Sequence, residues 1–214
     1  MQAIAPSQKP DVAADPTISL SGGRRFFDAA NKSWIVKVFP GEYYTTGRQD
    51  ESIVTVLGSC VAACIRDPIA KMGGMNHFML PQSASGNWGG HSRSTRFGNF
   101  AMEKLINELI KAGCSRDRME IKVFGGGNVT DTSNEIGTEN CEFVLQYLQA
   151  EGLKCVAKDL GGDYPRRIEY FPATGRVVRR LLGLNEKAAV RQEETAFASR
   201  LGTRPPSGDI ELFS

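Results

Sequence analysis

Cys60 and His77, one of only two histidines in the chain, fall in its most apolar stretch, Thr55 to Pro81. A thiol beside an imidazole is the minimal pair for nucleophilic catalysis. The thiolate is the reactive form, and the imidazole can take its proton and lower the thiol pKa. Gly58 and Ser59 stand immediately before Cys60. A glycine there permits close approach to the backbone, so that the Cys60 amide can help to hold an oxyanion. On residue types alone a blander alternative stays open, in which a small buried thiol neighbours a hydrogen-bonded core histidine.

The elements around the pair decide whether they meet. Val61 to Ile65 reads as a buried strand, Asp67-Pro68 as a turn, and Met72 to Leu80 as the returning strand. A turn centred on Pro68-Ile69 sets Cys60 directly across from His77, on the same face, with Cβ atoms ~5 Å apart. A loop of odd length would put them on opposite faces. Metal binding is the competing chemistry. Four residues of strand span ~13 Å, whereas zinc ligands all lie ~2.0–2.3 Å from their ion, so Cys60 and Cys64 cannot share a zinc with His77. The same separation excludes a disulfide between them. We therefore expect no metal and no cofactor.

The motif Leu57-Gly58-Ser59-Cys60-Val61-Ala62, followed by Asp67-Pro68 and Gly73-Gly74-Met75-Asn76-His77-Phe78-Met79-Leu80-Pro81, resembles CheD, the chemoreceptor glutamine deamidase family of bacterial chemotaxis. The resemblance runs on through Phe124-Gly125-Gly126-Gly127, Ile136-Gly137 with Asn140, and Asp159-Leu160-Gly161-Gly162 to Arg166. It ends at Ile168-Glu169-Tyr170 and Thr174-Gly175, and covers about residues 34–182. It implies a cysteine-dependent deamidation of receptor glutamines through a thioester. A threonine upstream of the cysteine, here Thr55, completes a Cys-His-Thr set with Cys60 and His77. Gly58, Ser59 and, by resemblance alone, Arg166 belong to the substrate region. The implied partners are chemoreceptors and, in some chemotaxis systems, a CheC-like phosphatase. The non-enzymatic alternative is an adaptor that docks on either of them.

The rest of the chain fits such a protein. Its 214 residues carry 26 Lys+Arg against 24 Asp+Glu, a balance that favours neither nucleic acid nor a membrane surface as partner. Five cysteines, an odd number in mostly apolar or periodic segments, suit reduced thiols in a cytoplasm. Residues 1–20 read as a flexible arm with neither signal peptide nor anchor, 21–184 as the CheD-like domain, and 185–214 as a polar tail with a short helix near Lys187 to Phe197. The segment from Gln82 to Gly98, with Trp88 and His91, reads as a long loop. Further strands are expected at 34–39, 42–46, 53–57, 119–124, 155–160, 168–171 and 176–180. Helices are expected from Phe100 to Ala112 and from a Thr138 cap to Ala150. Gly125 to Gly127 lacks the spacing of a nucleotide loop and reads as a tight turn near the site. Element order supports an α+β fold. The family resemblance implies the finer architecture, two mixed β-sheets forming a central core with helices outside.

Overall fold

Val61 to Ile65 is apolar at every position because the strand is covered on both faces, which removes the usual in-out alternation. In the computed structural model, which describes residues 20–21, 24–81, 93–129 and 134–203, this strand sits in the middle layer of three. The first five strands are β1 (Leu20–Ser21), β2 (Arg24–Asp28), β3 (Ser33–Lys37), β4 (Tyr43–Thr46) and β5 (Glu51–Leu57). Then come β6 (Val61–Asp67), β7 (Met72–Asn76), α1 (Arg93–Lys111), β8 (Glu120–Gly125) and α2 (Asn134–Ala150). The chain closes with β9 (Lys154–Leu160), β10 (Arg166–Phe171), β11 (Arg176–Leu181) and α3 (Leu184–Thr203).

The strands form two mixed sheets, one of six in the order β1-β4-β7-β6-β8-β9 and one of five in the order β11-β10-β5-β3-β2. The pairs β3–β5 and β8–β9 are parallel. On one side of the six-stranded sheet, Val61, Ala63 and Ile65 pack with Leu105, Ile106 and Leu109 of α1 and Val144 and Leu148 of α2. On the other side Cys60, Ala62 and Cys64 pack with Ile53, Leu57, Ile168 and Tyr170 of the five-stranded sheet. Each fully buried Val, Leu or Ile side chain among these contributes about 1.5–3 kcal/mol. The fold is α+β with a two-sheet core and α1 and α2 outside it, as expected.

The β6–β7 register differs from the expected one. Asp67 pairs with Met72 and Cys64 with Met75, and Val61 bridges Phe78. The turn therefore holds four residues, Pro68 to Lys71, with Lys71 at φ 53°. Cys60 is diagonal to His77 rather than directly opposite. The slip is by an even number, so the two remain on one face. Asp67 explains the wider turn. Its Oδ1 accepts from the amides of Ile69 and Ala70, its Oδ2 accepts from Ser115, and Arg118 Nε donates to Oδ1 at 3.1 Å. Arg118 above all holds this carboxyl well below the usual carboxylate range, against the opposing effect of burial. Its stabilising share is complete above the unfolded pKa of about 4 and is lost as pH falls through the lower folded value. Asp67→Asn is expected to cost about 1–3 kcal/mol at neutral pH in urea unfolding, with the gap to wild type shrinking below about pH 4.

Further expectations are corrected. The first helix begins at Arg93, within the loop expected from Gln82 to Gly98 and ahead of Phe100. The second helix begins at Asn134, so Thr138 lies exposed within it and does not cap it. Strand β2, half exposed at the edge of its sheet, was not expected, since Arg24-Arg25 hides its period. The expected polar tail contains a 20-residue helix, longer at both ends than 187–197. Among the described residues, no helix is long and apolar enough to cross a membrane. Of the arm expected at 1–20, residues 1–19 lie outside the described residues, as do Trp88 and His91.

Candidate active site

The five-stranded sheet ends its β5 at Leu57 and the six-stranded sheet begins its β6 at Val61, so Gly58-Ser59-Cys60 must cross from one sheet to the other. Backbone groups in such a crossing have no ladder partners and must be satisfied otherwise. Here they sort by type. The carbonyls of Gly58 and Cys60 accept from the amides of Gly127 (2.6 Å) and Gly126 (2.7 Å), and the Ser59 carbonyl accepts from Asn140 Nδ2 (2.8 Å). Asn140 Oδ1 in turn accepts from the Leu80 amide, fixing α2 to the segment after His77. With every carbonyl held, the three amides face the opposite way. They converge on one carboxylate, that of Glu194 from α3. Gly58 and Cys60 donate to Oε1 (2.9 and 3.0 Å), and the Ser59 amide and hydroxyl donate to Oε2 (2.8 Å each). Successive amides aimed at one point form an anion-binding nest.

Cys60, His77 and Glu194 bring their ligating atoms within 4.8 Å of one another. His77 reaches the crossing from the end of β7, and Thr55 reaches His77 from β5, on the facing side of the same core. Thr55 Oγ1 donates to the Val38 carbonyl at 2.8 Å and lies 2.8 Å from His77 Nδ1. A carbonyl only accepts, so the hydroxyl proton goes to Val38 and Nδ1–H donates to Thr55. This fixes the tautomer with the lone pair on Nε2, the nitrogen that has no hydrogen-bond partner and is left for Cys60. Of the residues singled out from sequence, Cys60, His77, Thr55, Gly58 and Ser59 come together. Arg166 does not join them. It is buried behind the glycine turn, donating to the carbonyls of Asp159 and Gly161 and pairing with the Asp159 carboxylate.

The site is shut in this conformation, with Cys60 0% and His77 2% exposed. Burial, with the Glu194 charge second, pushes the Cys60 thiol well above its ordinary pKa. Burial pulls His77 down to about 4, against an upward pull from Glu194. The resting pair is thus a neutral thiol and a neutral imidazole. A Cys-His-carboxylate trio is also a zinc-type donor set. Both Glu194 oxygens are already engaged with nest donors, and a metal would have to strip them. All five cysteines are free thiols.

Glu194 was not anticipated. The one available signal is a carboxylate set in an otherwise apolar stripe, Val190, Phe197, Ala198 and Leu201, of a polar helix.

A thiol, an imidazole with its tautomer fixed by a third side chain, and a backbone anion nest together make a centre able to transfer acyl groups through cysteine. Comparison with known proteins defines the group more closely. Residues 79–181 match the family described as "CheD chemotactic sensory transduction". A Rhodopseudomonas palustris protein named "Probable chemoreceptor glutamine deamidase CheD" is 52% identical over 190 residues, covering 89% of each chain. A Saccharophagus degradans protein of the same name is 48% identical over 195 residues, covering 88% of this chain and 89% of that one. The chain belongs to the CheD family. Among solved structures, the Bacillus licheniformis hypothetical protein YfiH aligns with a TM-score of 0.36 at 12% identity, covering 56% of this chain and 49% of that one.

Proposed function

We propose that this protein deamidates glutamine side chains of chemoreceptors to glutamate, using Cys60 as nucleophile, His77 as general base and acid, and Thr55 as the group that orients His77. The observation that carries the reading is the nest at Gly58, Ser59 and Cys60, which already binds a side-chain carboxylate beside the thiol and the imidazole. The chemistry follows from that placement. His77 Nε2 takes the Cys60 proton and the thiolate attacks the carboxamide carbon, while the three amides hold the oxyanion. Each such donor is worth about 10²–10³ in rate. His77 returns its proton to the departing nitrogen, the C–N bond breaks, ammonia leaves, and a thioester to Cys60 remains. Water, deprotonated by His77, then breaks the C–S bond and releases glutamate. No redox or metal step is needed to balance the reaction. The names of the relatives support the choice of chemoreceptors over other glutamine-bearing proteins.

The test is intact-mass analysis of a purified receptor cytoplasmic fragment incubated with the protein. Each glutamine converted exchanges an amide for an acid and raises the fragment mass, and peptide mapping names the position. A fragment whose mass never changes, across several receptors and with a folded protein, would refute the reading.

A further inference from the structure

Burying a carboxylate against an apolar core is costly unless donors compensate it. Glu194 is 5% exposed, and among the described residues it has no ion-pair partner; its compensation comes from the nest and the Ser59 hydroxyl. An alanine at this position would complete the apolar stripe of α3 without that cost, so packing alone does not account for the glutamate. The seat is shaped for it. A Cβ on Gly58 would lie 2.7 Å from Glu194 Oε2, and one on Gly41 would lie 3.1 Å from the Phe197 ring. Val190 and Glu194 are buried, and Phe197, Ala198 and Leu201 pack against the core between the sheets, all on one helical stripe.

A glutamate side chain is the product of glutamine deamidation, and this one lies where the reacting group must lie. We propose that α3 is a tethered product mimic, which fills the substrate cleft with Glu194 in the seat of the reacting glutamine and must be displaced by the substrate. The proposal rests on the deamidase reading and extends it to the form of the substrate. The cleft receives a helical segment, with an apolar residue one turn before the glutamine and others at the third and seventh positions after it, as Val190, Phe197 and Leu201 stand to Glu194. While α3 is seated, the thiol is covered and the oxyanion donors are occupied. Apparent activity is therefore lowered by the fraction of molecules that are closed.

Two measurements on the full chain test this. The first does not depend on catalysis. Cys60 alkylation by iodoacetamide is followed by peptide mass in wild type, Glu194→Ala and Phe197→Ala, with the exposed Cys155 as internal standard. Both variants should react at Cys60 about tenfold faster or more, with Cys155 unchanged. Equal Cys60 rates in all three would overturn the proposal. The second uses Glu194→Gln, which places a substrate side chain in the seat. Its amide should be hydrolysed in place, with Cys60 forming the thioester, ammonia leaving and water restoring the acid. The protein should thereby regain the wild-type mass, whereas the Glu194→Gln, Cys60→Ser double variant should keep the mass calculated for its own intact amide. A persistent amide in a preparation whose wild type converts receptor glutamine would refute the mimic. If neither wild type nor Glu194→Ala converts any receptor glutamine, the deamidase reading falls and the mimic with it, while the alkylation rates still report whether α3 covers the site.

Discussion

Cys60→Ser is expected to lower receptor deamidation by about 10⁴-fold or more while leaving the fold intact. The exchange is nearly isosteric at a fully buried position, so thermal unfolding should barely move. The chemistry changes sharply. A serine hydroxyl is far less acidic than a thiol, and a His77 drawn down toward 4 by burial is too weak a base to ionise it. His77→Gln should cost a similar factor, because the thiol then has no proton acceptor. The double variant should be scarcely worse than either single one, since the two groups act as a unit. Thr55→Val should be milder, about 10–100-fold, and should appear in kcat more than in KM, since Nδ1 loses its acceptor and the tautomer is no longer fixed. The assay is single-turnover conversion of a receptor fragment followed by mass. If Cys60→Ser retained activity within tenfold of wild type, the thioester route would be excluded. If both proteins bound receptor and neither converted it, the adaptor role would take its place.

How much of this could be read from sequence depended on whether the deciding contact was local. The Cys60–His77 pairing needed only the parity of one turn. The turn proved two residues wider than expected, and the face was right because an even slip preserves it. Gly125 to Gly127 showed as a turn near the site, but its purpose, taking the carbonyls of Gly58 and Cys60, required knowing that the crossing segment lies against it. Asn140 stood in a matched motif with no stated role, and its bonds to the Ser59 carbonyl and Leu80 amide join segments far apart in the chain. Glu194 lay beyond reach for the same reason. Its contacts are more than a hundred residues away in sequence, and on a helix of mostly polar residues one more glutamate carries no local mark. Arg166 was placed near the substrate by resemblance, while its donors hold the chain between Asp159 and Gly161.

The dependence of the nest on its support gives the second large expectation. Gly125→Ala should lower activity by at least about 10²-fold and stability by about 3 kcal/mol or more, although residue 125 touches no substrate. Gly125 has φ 115°, a region that side chains with a Cβ rarely adopt, and its carbonyl accepts from the Gly161 amide at 2.9 Å. An added Cβ would stand 2.1 Å from the Cys60 carbonyl oxygen, so either β8 or the crossing segment must move. Moving the segment turns the peptide plane of Cys60, breaks the bond from the Gly126 amide, and swings the nest away from the reacting carbon. Gly113→Ala separates this effect from backbone strain. Gly113 has φ 91°, and a Cβ there meets nothing within 4 Å, so it should cost about 1 kcal/mol and leave the rate unchanged. Urea unfolding and single-turnover rates on both variants check the comparison. Equal stability losses with no loss of rate in Gly125→Ala would mean that the crossing segment holds its amides in place without the glycine turn behind it. Full loss of rate in Gly125→Ala alone would locate the precision of the site in that turn, where two carbonyls of the crossing segment are held so that its three amides can face one carboxylate.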